Sequence, residues 1–336
     1  MKWIAPMAVL SALVILLGSC GGNSGGGPTG PNGGPVNNAP ACDTVQSATC
    51  HSISVTQSDG TIVTRYYVLH VPTNFPANLG ALVVSLHGTG EGGLEYEQHT
   101  QLDATADHNG FAIAYPDALL APRNGNLRQW NGYFNGAQSP TSTSPDDVSF
   151  LRQLITTLQP NLKADPKKIY VSGVSSGGLM AVRVGVELSD LVAAIAPLSG
   201  ALDNLEGSNG VVPAAAGPVS VLMLHADMDQ TIPYCGTSDN ASQDTTFNYW
   251  VAADATVNLD TSTPLCNGGN PTTVNEKDGT GGLLNTEVKF YRLIGAGHFA
   301  VYNNADLSPY NPNLNASTGT LSNDIVWKFF AAHPKP

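Results

Sequence analysis

The fold is decided by the stretch KIYVSGVSSGGL at residues 168–179. Its first residues, 168–172, predict a strand. The segment GVSSG at 173–177 follows at once and matches the pattern G-x-S-x-G, and a helix is predicted over 176–188. A serine flanked by glycines on a sharp strand-to-helix turn is presented as a nucleophile. The stretch therefore predicts that Ser175 is a reactive serine at the end of a central strand.

Strands and helices alternate through most of the chain, with the strand at 61–71 expected at an edge. Strands are predicted at 61–71, 81–86, 111–115, 168–172, 191–197, 219–225 and 287–293. Helices are predicted from Ser144 as N-cap through Leu158, and at 176–188, 245–254 and 321–333. Surface loops are predicted at 118–143, 201–217 and 255–285. This alternation is typical of a single α/β domain with a mostly parallel central sheet and helices on both faces.

Charge and composition exclude several classes of function. The 336 residues carry 14 Lys and Arg against 26 Asp and Glu, a formal net charge of -12. A chain without a cationic surplus is not expected to bind nucleic acid or to adsorb to anionic membranes. Charged residues make up only 12% of the chain, which holds 36 Gly and 23 Pro. These values indicate a loop-rich, extracytoplasmic globule.

The first residues have the features of an export signal. Lys2 precedes an apolar run, 4–17, that is shorter than the roughly 20 residues needed to span a bilayer. The segment LGSC at 17–20 resembles the bacterial lipobox, whose cysteine is acylated. We therefore expect a lipoprotein signal peptide at 1–19, lipidation at Cys20, a Gly/Pro/Asn-rich tether at 20–41 and one folded domain at 42–336.

The anchor at Cys20 sets the expected location. Residue 22 is Gly rather than Asp, which in bacterial lipoproteins implies sorting to the outer membrane where the cell has two membranes. Contact with the membrane is expected only through this anchor. The alternative is an ordinary signal peptide and a secreted protein. A monomer is expected.

The remaining cysteines predict two disulfides. An even set of four in an exported protein favours paired cysteines. Three pairings are open, and we favour Cys42–Cys50 and Cys235–Cys266 because each partner is the nearer one in sequence. The spacings do not resemble a CxxC metal knuckle, so no metal site is expected.

A nucleophilic serine needs a histidine base and an acid that orients it. In α/β-hydrolases these follow the serine in the order acid, then histidine. His298 follows a predicted strand in a Gly-rich loop and is the candidate base. Asp227 and Asp229 both follow the strand ending at residue 225, and spacing does not choose between them. One is expected to orient the imidazole and the other to stabilise the loop.

Other polar and aromatic residues have structural alternatives. His87, in the Gly-rich segment LHGTG at 86–90, is expected to be a buried residue that holds this loop. Asp146 and Asp147 are interpreted as helix-capping residues. Trp130 and Tyr133, in the predicted loop 118–143, are candidates for a wall that binds substrate, and the alternative is that they pin the loop.

Several motifs together resemble one group of esterases. They are LVVSLHG at 82–88, YPD at 115–117, WN at 130–131, DDVSFL at 146–151, DPKKIYVSGVS at 165–175, HADMD at 225–229, IPY at 232–234 and GH at 297–298. This set is similar to the group that joins carbohydrate esterase family one, with its feruloyl and acetylxylan esterases, to poly(3-hydroxybutyrate)-depolymerase-like enzymes of the α/β-hydrolase fold.

The resemblance implies roles for particular residues. It selects Asp229 as the acid and places the oxyanion donors at the backbone N–H groups of Thr89 and Ser176. The chain departs from the pattern at Thr89, where many relatives carry Cys, and at Ala300, a position often held by Trp. The segment Ala226-Asp227 also replaces the usual Gly-Thr-Ala.

The resemblance thus implies a carboxylic ester hydrolase with the triad Ser175, Asp229 and His298, without metal or cofactor. Expected substrates are feruloyl or acetyl esters of plant polysaccharide. The alternative within the fold is a polyester depolymerase acting on chains of the polyhydroxybutyrate type. An alternative of another class is a catalytically inactive surface lipoprotein that binds a ligand.

Overall fold

The computed structural model describes residues 41–44, 47, 49–121, 127–133, 145–203, 214–258, 266 and 276–336. The predicted signal peptide, the lipidation site Cys20 and all of the predicted tether except residue 41 lie outside these residues. Within the described ranges, none of the helices has the length and apolar content needed to cross a bilayer.

The predicted alternation of strands and helices is present. The strands in the described ranges are β1 (Cys50–Thr56), β2 (Ile62–His70), β3 (Gly80–Leu86), β4 (Ala112–Pro116), β5 (Leu120–Ala121), β6 (Leu127–Arg128), β7 (Ala164–Val174), β8 (Ala194–Leu198), β9 (Ser220–Ala226), β10 (Val257–Asn258), β11 (Glu276–Thr280) and β12 (Val288–Leu293). The α-helices there are α1 (Gly93–Thr100), α2 (Leu102–Asn109), α3 (Asp147–Asn161), α4 (Ser176–Glu187), α5 (Gln243–Ala253) and α6 (Ser322–Ala332), and two 3-10 helices span Leu283–Asn285 and His298–Val301.

The strand that carries the serine motif, β7, lies near the middle of the main sheet. Its strand order in the described residues is β1-β2-β4-β3-β7-β8-β9-β12-β11-β10. The six strands from β4 to β12 in this order are parallel, and antiparallel strands extend both edges. The mostly parallel α/β sheet is therefore confirmed. The expectation of an edge strand at 61–71 was wrong, because β1 pairs with the outer side of β2.

Apolar residues cover both faces of the sheet, because alternate side chains of each buried strand point in opposite directions. One core holds side chains of β3 and β7 against helices α3, α4 and α5, among them Leu82, Val171, Phe150, Met180 and Trp250. The other packs the intervening strand residues against α1, α2 and α6, among them Val83, Tyr170, Leu94, Ala106 and Phe330. The helices on both faces thus hold the ends of the strands in fixed positions.

The N-cap of helix α3 lies two residues later than predicted. Asp146 is the N-cap and accepts a hydrogen bond from the backbone N–H of Ser149 at 3.0 Å, whereas Ser144 lies outside the described residues. Asp147 is not a cap. Its buried carboxylate pairs with Arg65 at 2.8 Å and accepts from the N–H of Asn131 at 2.8 Å. Strand β2, helix α3 and the start of the 131–133 segment are thus tied by one carboxylate.

Both favoured disulfides are present. Cys42 pairs with Cys50, and Cys235 pairs with Cys266. The first bridge fastens the start of the domain to β1, and the N–H of Cys42 also donates to Asp117 at 3.0 Å. The second bridge fastens the segment that follows Asp229 to the chain beyond α5.

Asp254 gives the fold a measurable dependence on pH. The fully buried carboxylate accepts from the N–H of Val219 at 2.9 Å through Oδ1, while Oδ2 has no hydrogen-bond partner within the described ranges. Burial raises the pKa of Asp254 to about 7. An acid with a raised pKa in the folded state favours folding while it is protonated. This contribution to the free energy of unfolding is fully present below the pKa that Asp254 has in the unfolded chain, and it is lost as pH rises through 7.

We predict that Asp254→Asn changes this profile, because Asn keeps the acceptor for Val219 and removes the ionisation. The free energy of unfolding of the variant minus that of wild type should be larger at pH 8 than at pH 4, by about 2 kcal/mol or more. Urea denaturation at both pH values measures it. An equal difference between variant and wild type at pH 4 and pH 8 would contradict the assignment.

Candidate active site

The predicted site residues meet at one edge of the sheet. Ser175 follows β7, Asp229 follows β9, His298 follows β12 and Thr89 follows β3. These four strands are parallel, so their carboxyl ends lie at the same edge, where α/β proteins place their sites.

The turn at Ser175 has the backbone of a strained elbow. Its φ of 56° and ψ of -120° are sparsely populated for a residue with a side chain. A side chain on Gly173 would collide with the carbonyl oxygen of Gly177, and one on Gly177 would collide with the carbonyl oxygen of Leu86. The two glycines of the motif are therefore required by the close approach of β3, β7 and α4.

The structure brings Ser175, His298 and Asp229 into one hydrogen-bonded chain. His298 Nε2 lies 2.9 Å from Ser175 Oγ, and His298 Nδ1 lies 2.7 Å from Asp229 Oδ2. A carboxylate only accepts, so Nδ1 carries the proton of the neutral ring and Nε2 accepts from the serine hydroxyl. All three residues are buried. This arrangement can remove the proton from Ser175.

Backbone donors stabilise the charged form of Asp229. Its Oδ1 accepts from the N–H groups of Thr231 and Ile232, each at 2.8 Å. Burial alone would raise the pKa of Asp229, but the hydrogen bonds from His298 and Ile232 outweigh it and hold this pKa below its ordinary value. The carboxylate therefore stays ionised beside the imidazole.

Asp227 has the loop-stabilising role expected of the second carboxylate. It forms an ion pair with the buried side chain of Arg292 and accepts from the N–H of Gly295 at 2.7 Å. These contacts fasten the loop that leads to His298. Asp227 therefore supports the site while Asp229 contacts the imidazole.

Two other histidines near the site are buried and neutral. Burial lowers the pKa of His87 to about 3 and that of His225 to about 4. His87 donates to the carbonyl of Gly88 at 2.6 Å and accepts from the N–H of Ala118 at 3.0 Å, so it holds the 87–90 loop as expected. His225 donates to the carbonyl of Ile232 at 2.8 Å, which braces the turn behind Asp229.

The predicted oxyanion donors lie on two segments that touch each other. Ser176 is the first residue of α4, where backbone N–H groups have no partner within the helix. Thr89 lies in the 87–90 loop, and a side chain built on Gly88 would lie 3.7 Å from Ser175 Cβ. Glu91 accepts from the N–H of Gly88 at 2.9 Å and so fixes the loop beside the serine.

The structure separates the two aromatic candidates for substrate binding. Trp130 is 1% exposed, stacks on Phe150 and donates to the carbonyl of His87 at 3.1 Å. A buried ring cannot form a wall for substrate, so Trp130 pins the loop. Tyr133 is half-buried against Leu179, with its hydroxyl 3.3 Å from Asn240 Oδ1, and burial raises its pKa to about 12.

Two residues that contact the triad were missed by sequence reasoning. The hydroxyl of Ser199, after β8, donates to the carbonyl of His298 at 3.0 Å and holds the backbone of the base. Tyr302 lies one turn beyond His298, with ring centroids 6.4 Å apart. Neither stands in a recognisable motif. The spacing of four from a candidate base is the only sequence signal for Tyr302.

Exposed apolar side chains flank the triad. Phe299 is 71% exposed, and its ring packs edge-on against His298 with a centroid distance of 5.2 Å. Met228, between the two aspartates, is 61% exposed. Large exposed apolar groups beside a polar centre mark a surface that can contact an apolar ligand. Among the described side chains, no group of three or more His, Cys, Asp or Glu is placed to hold a metal ion.

Comparisons with known proteins support the motif-based resemblance. A model of the esterase family described as PHB depolymerase matches residues 65–210. A protein of Nocardia uniformis subsp. tsuyamanensis named as an esterase is 33% identical over 180 residues, covering 52% of this chain and 48% of that protein. Feruloyl esterase B of Piromyces equi is 28% identical over 173 residues, covering 51% and 30%. Poly(3-hydroxyalkanoate) depolymerase C of Paucimonas lemoignei is 27% identical over 164 residues, covering 48% and 38%.

The chain therefore spans at most about half the length of these relatives. Among solved structures, esterase 2 of Thermogutta terrifontis superposes with a TM-score of 0.50 at 15% identity, covering 86% of this chain and 96% of that one. At such identity the likeness concerns the fold, and it agrees with the α/β-hydrolase expectation. The family match ends at residue 210, before Asp229 and His298, so geometry alone joins these two residues to Ser175. Over residues 65–210, the chain is thus similar to the esterase family described as PHB depolymerase.

Proposed function

We propose that this protein is a serine esterase that hydrolyses carboxylic esters through the triad Ser175, His298 and Asp229. The observation that carries the proposal is the pair of hydrogen bonds at His298, 2.9 Å to Ser175 Oγ and 2.7 Å to Asp229 Oδ2. Nucleophile, base and orienting acid thus stand in the relation that acyl transfer requires.

In the first half of the reaction, Ser175 Oγ attacks the ester carbonyl while His298 Nε2 takes its proton. The resulting imidazolium is stabilised by the ionised Asp229, which accepts from Nδ1. The carbonyl electron pair moves onto oxygen, and the N–H groups of Thr89 and Ser176 donate hydrogen bonds to this oxyanion. His298 then returns the proton to the leaving alcohol, and the acyl group remains on Ser175.

In the second half, water replaces the alcohol. His298 takes a proton from water, the hydroxide attacks the acyl-enzyme, and collapse of the tetrahedral intermediate releases the acid and restores Ser175. The buried triad limits competing water, which strengthens the electrostatic contacts within the site. No step requires a metal ion or an organic cofactor.

The proposed substrates are feruloyl or acetyl esters of plant polysaccharide. Phe299 supports an aromatic or otherwise apolar acyl partner, because its exposed ring lies directly beside His298. A chain with only 12% charged residues suits an uncharged polymer. The same features fit an aliphatic polyester, which remains the alternative within this fold.

A side-by-side assay on methyl ferulate, acetylated xylan and hydroxybutyrate oligomers tests the substrate class, with Ser175→Ala as the blank. We expect the highest kcat/KM on one of the two plant-wall esters. We also expect Phe299→Ala to raise KM for methyl ferulate about threefold or more while leaving KM for p-nitrophenyl acetate within about twofold, because an acetyl group is too small to contact the ring. Faster turnover of the oligomers would favour the polyester alternative, and negligible turnover of all three would remove both.

A matched pair of variants tests the acid. Asp229→Asn should lower kcat by about 10³- to 10⁴-fold, because an amide cannot hold the imidazole in the required tautomer. Asp227→Asn should keep kcat within about fivefold while it lowers thermal stability, because the buried Arg292 then lacks its carboxylate. Steady-state kinetics and a melting curve on the same preparations separate the two effects. Equal losses of kcat in both variants would contradict the assignment.

We also propose that the esterase is exported and anchored to a bacterial membrane through Cys20. In a cell with two membranes, this is the outer membrane. The lipobox at 17–20 and the Gly/Pro/Asn-rich segment 20–41 support this, since acyl chains on the first residue plus a tether would place the domain outside the cell. The two disulfides also suit an oxidising compartment.

Metabolic labelling with radioactive palmitate tests the anchor. Wild-type chain expressed in a bacterium should incorporate label and sediment with membranes. Cys20→Ala should lose both properties and keep the ester activity of the folded domain, because the change lies outside it. Unlabelled wild-type protein recovered in the medium would instead support the ordinary signal peptide.

A further inference from the structure

The hydroxyl of Tyr302 lies inside the catalytic centre. A side chain built on Gly88 would begin 2.7 Å from the Tyr302 hydroxyl, 3.2 Å from Glu91 Oε2 and 3.7 Å from Ser175 Cβ. Tyr302, Glu91 and the nucleophile thus converge on the space left by the missing side chain of Gly88. The ring reaches this point because the 3-10 helix His298–Val301 turns the chain back beside the base.

The direction of hydrogen bonding at Ser175 makes Tyr302 a donor. The serine hydroxyl gives its proton to His298 Nε2, because the proton of the ring is on Nδ1 and faces Asp229. Only lone pairs of Ser175 Oγ then remain for another partner. A protonated tyrosine hydroxyl that approaches Ser175 Oγ therefore acts as the donor.

The surroundings keep the phenol protonated. Burial raises the pKa of Tyr302 above its ordinary value, and the negative charge of Glu91 raises it further. Glu91 is fixed in place, since its Oε2 accepts from the N–H of Gly88 at 2.9 Å. At neutral pH the site thus holds an O–H donor that does not ionise.

We propose that Tyr302 is a catalytic residue that donates a third hydrogen bond to the oxyanion, beside the N–H groups of Thr89 and Ser176. The inference rests on the proposed esterase function. Its hydroxyl lies against Gly88, the residue that precedes the proposed donor Thr89. The short segment 298–302 therefore carries both the base and the additional donor.

Tyr302 forms and breaks no covalent bond in this step. Ser175 Oγ forms a bond to the carbonyl carbon, its proton passes to His298 Nε2, and the carbonyl π pair becomes a lone pair on oxygen. In the tetrahedral intermediate, Ser175 Oγ is bonded to the former carbonyl carbon and is a weaker acceptor than the oxyanion, so the Tyr302 hydroxyl donates to the oxyanion. When the intermediate collapses, the electron pair returns to the carbonyl and the leaving alcohol takes the proton from His298 Nε2.

The test compares Tyr302→Phe with wild type and with Tyr310→Phe, a control that removes a hydroxyl from the same C-terminal part of the domain. Full chains are assayed on p-nitrophenyl acetate, and rates are expressed per active site titrated to completion with a fluorophosphonate. Affinity for a trifluoromethyl ketone, which forms a tetrahedral adduct with a nucleophilic serine, is measured on the same samples.

We expect Tyr302→Phe to lower kcat by a factor on the order of 10², the loss seen when one oxyanion donor is removed. KM should stay within about twofold, and affinity for the ketone should fall in parallel with kcat/KM. Tyr310→Phe should match wild type in all three values.

Two results would overturn the proposal while leaving the esterase function intact. One is an active wild type whose Tyr302→Phe variant keeps kcat within about threefold. The other is a loss of kcat with unchanged affinity for the ketone, which would assign Tyr302 a purely structural role. A wild type that hydrolyses no ester and forms no adduct would contradict the esterase function itself, and the role of Tyr302 with it.

Discussion

The turn at Ser175 is the constraint on which the rest of the site depends. Its φ of 56° and ψ of -120° lift the hydroxyl off the sheet, and such a backbone persists only where the surroundings hold it. Two contacts hold it here. Gly173 packs against Gly177, and the N–H of Ser175 donates a hydrogen bond to the carbonyl of Leu198. Parallel strands on both sides then bring base, acid and oxyanion loop to the same edge.

Burial and neighbouring groups give the ionisable side chains around this turn distinct roles. His87 and His225 are desolvated, so they stay neutral and serve as hydrogen-bonding braces. His298 differs because it lies between a hydroxyl and a carboxylate that is held ionised by backbone donors. The same logic separates Asp229, which faces an imidazole, from Asp227, which faces a guanidinium. The environment therefore determines which histidine can exchange a proton with a substrate and which carboxylate orients that histidine.

Local patterns predicted the parallel sheet, the placement of Ser175 and His298 and both disulfides, because strand periodicity, the glycine-flanked turn and cysteine spacing are local signals. Asp229 required a family resemblance, since two aspartates followed the same strand. The role of Trp130 stayed open between a substrate wall and a residue that pins the loop, because an aromatic residue in a loop has the same sequence signal in the core and at the surface. Tyr302 and helices α1 and α2 were missed, because the first acquires its contacts only through tertiary structure and the helices are short, with little apolar periodicity.

If the fold makes Ser175 a nucleophile, a covalent probe for reactive serines will label it. Wild type and Ser175→Ala would be incubated with a fluorophosphonate probe, and the labelled peptide would be identified by mass spectrometry. We expect one label per folded chain, on the peptide containing Ser175, and none in the variant. An unlabelled wild type, or a label that persists in Ser175→Ala, would contradict it.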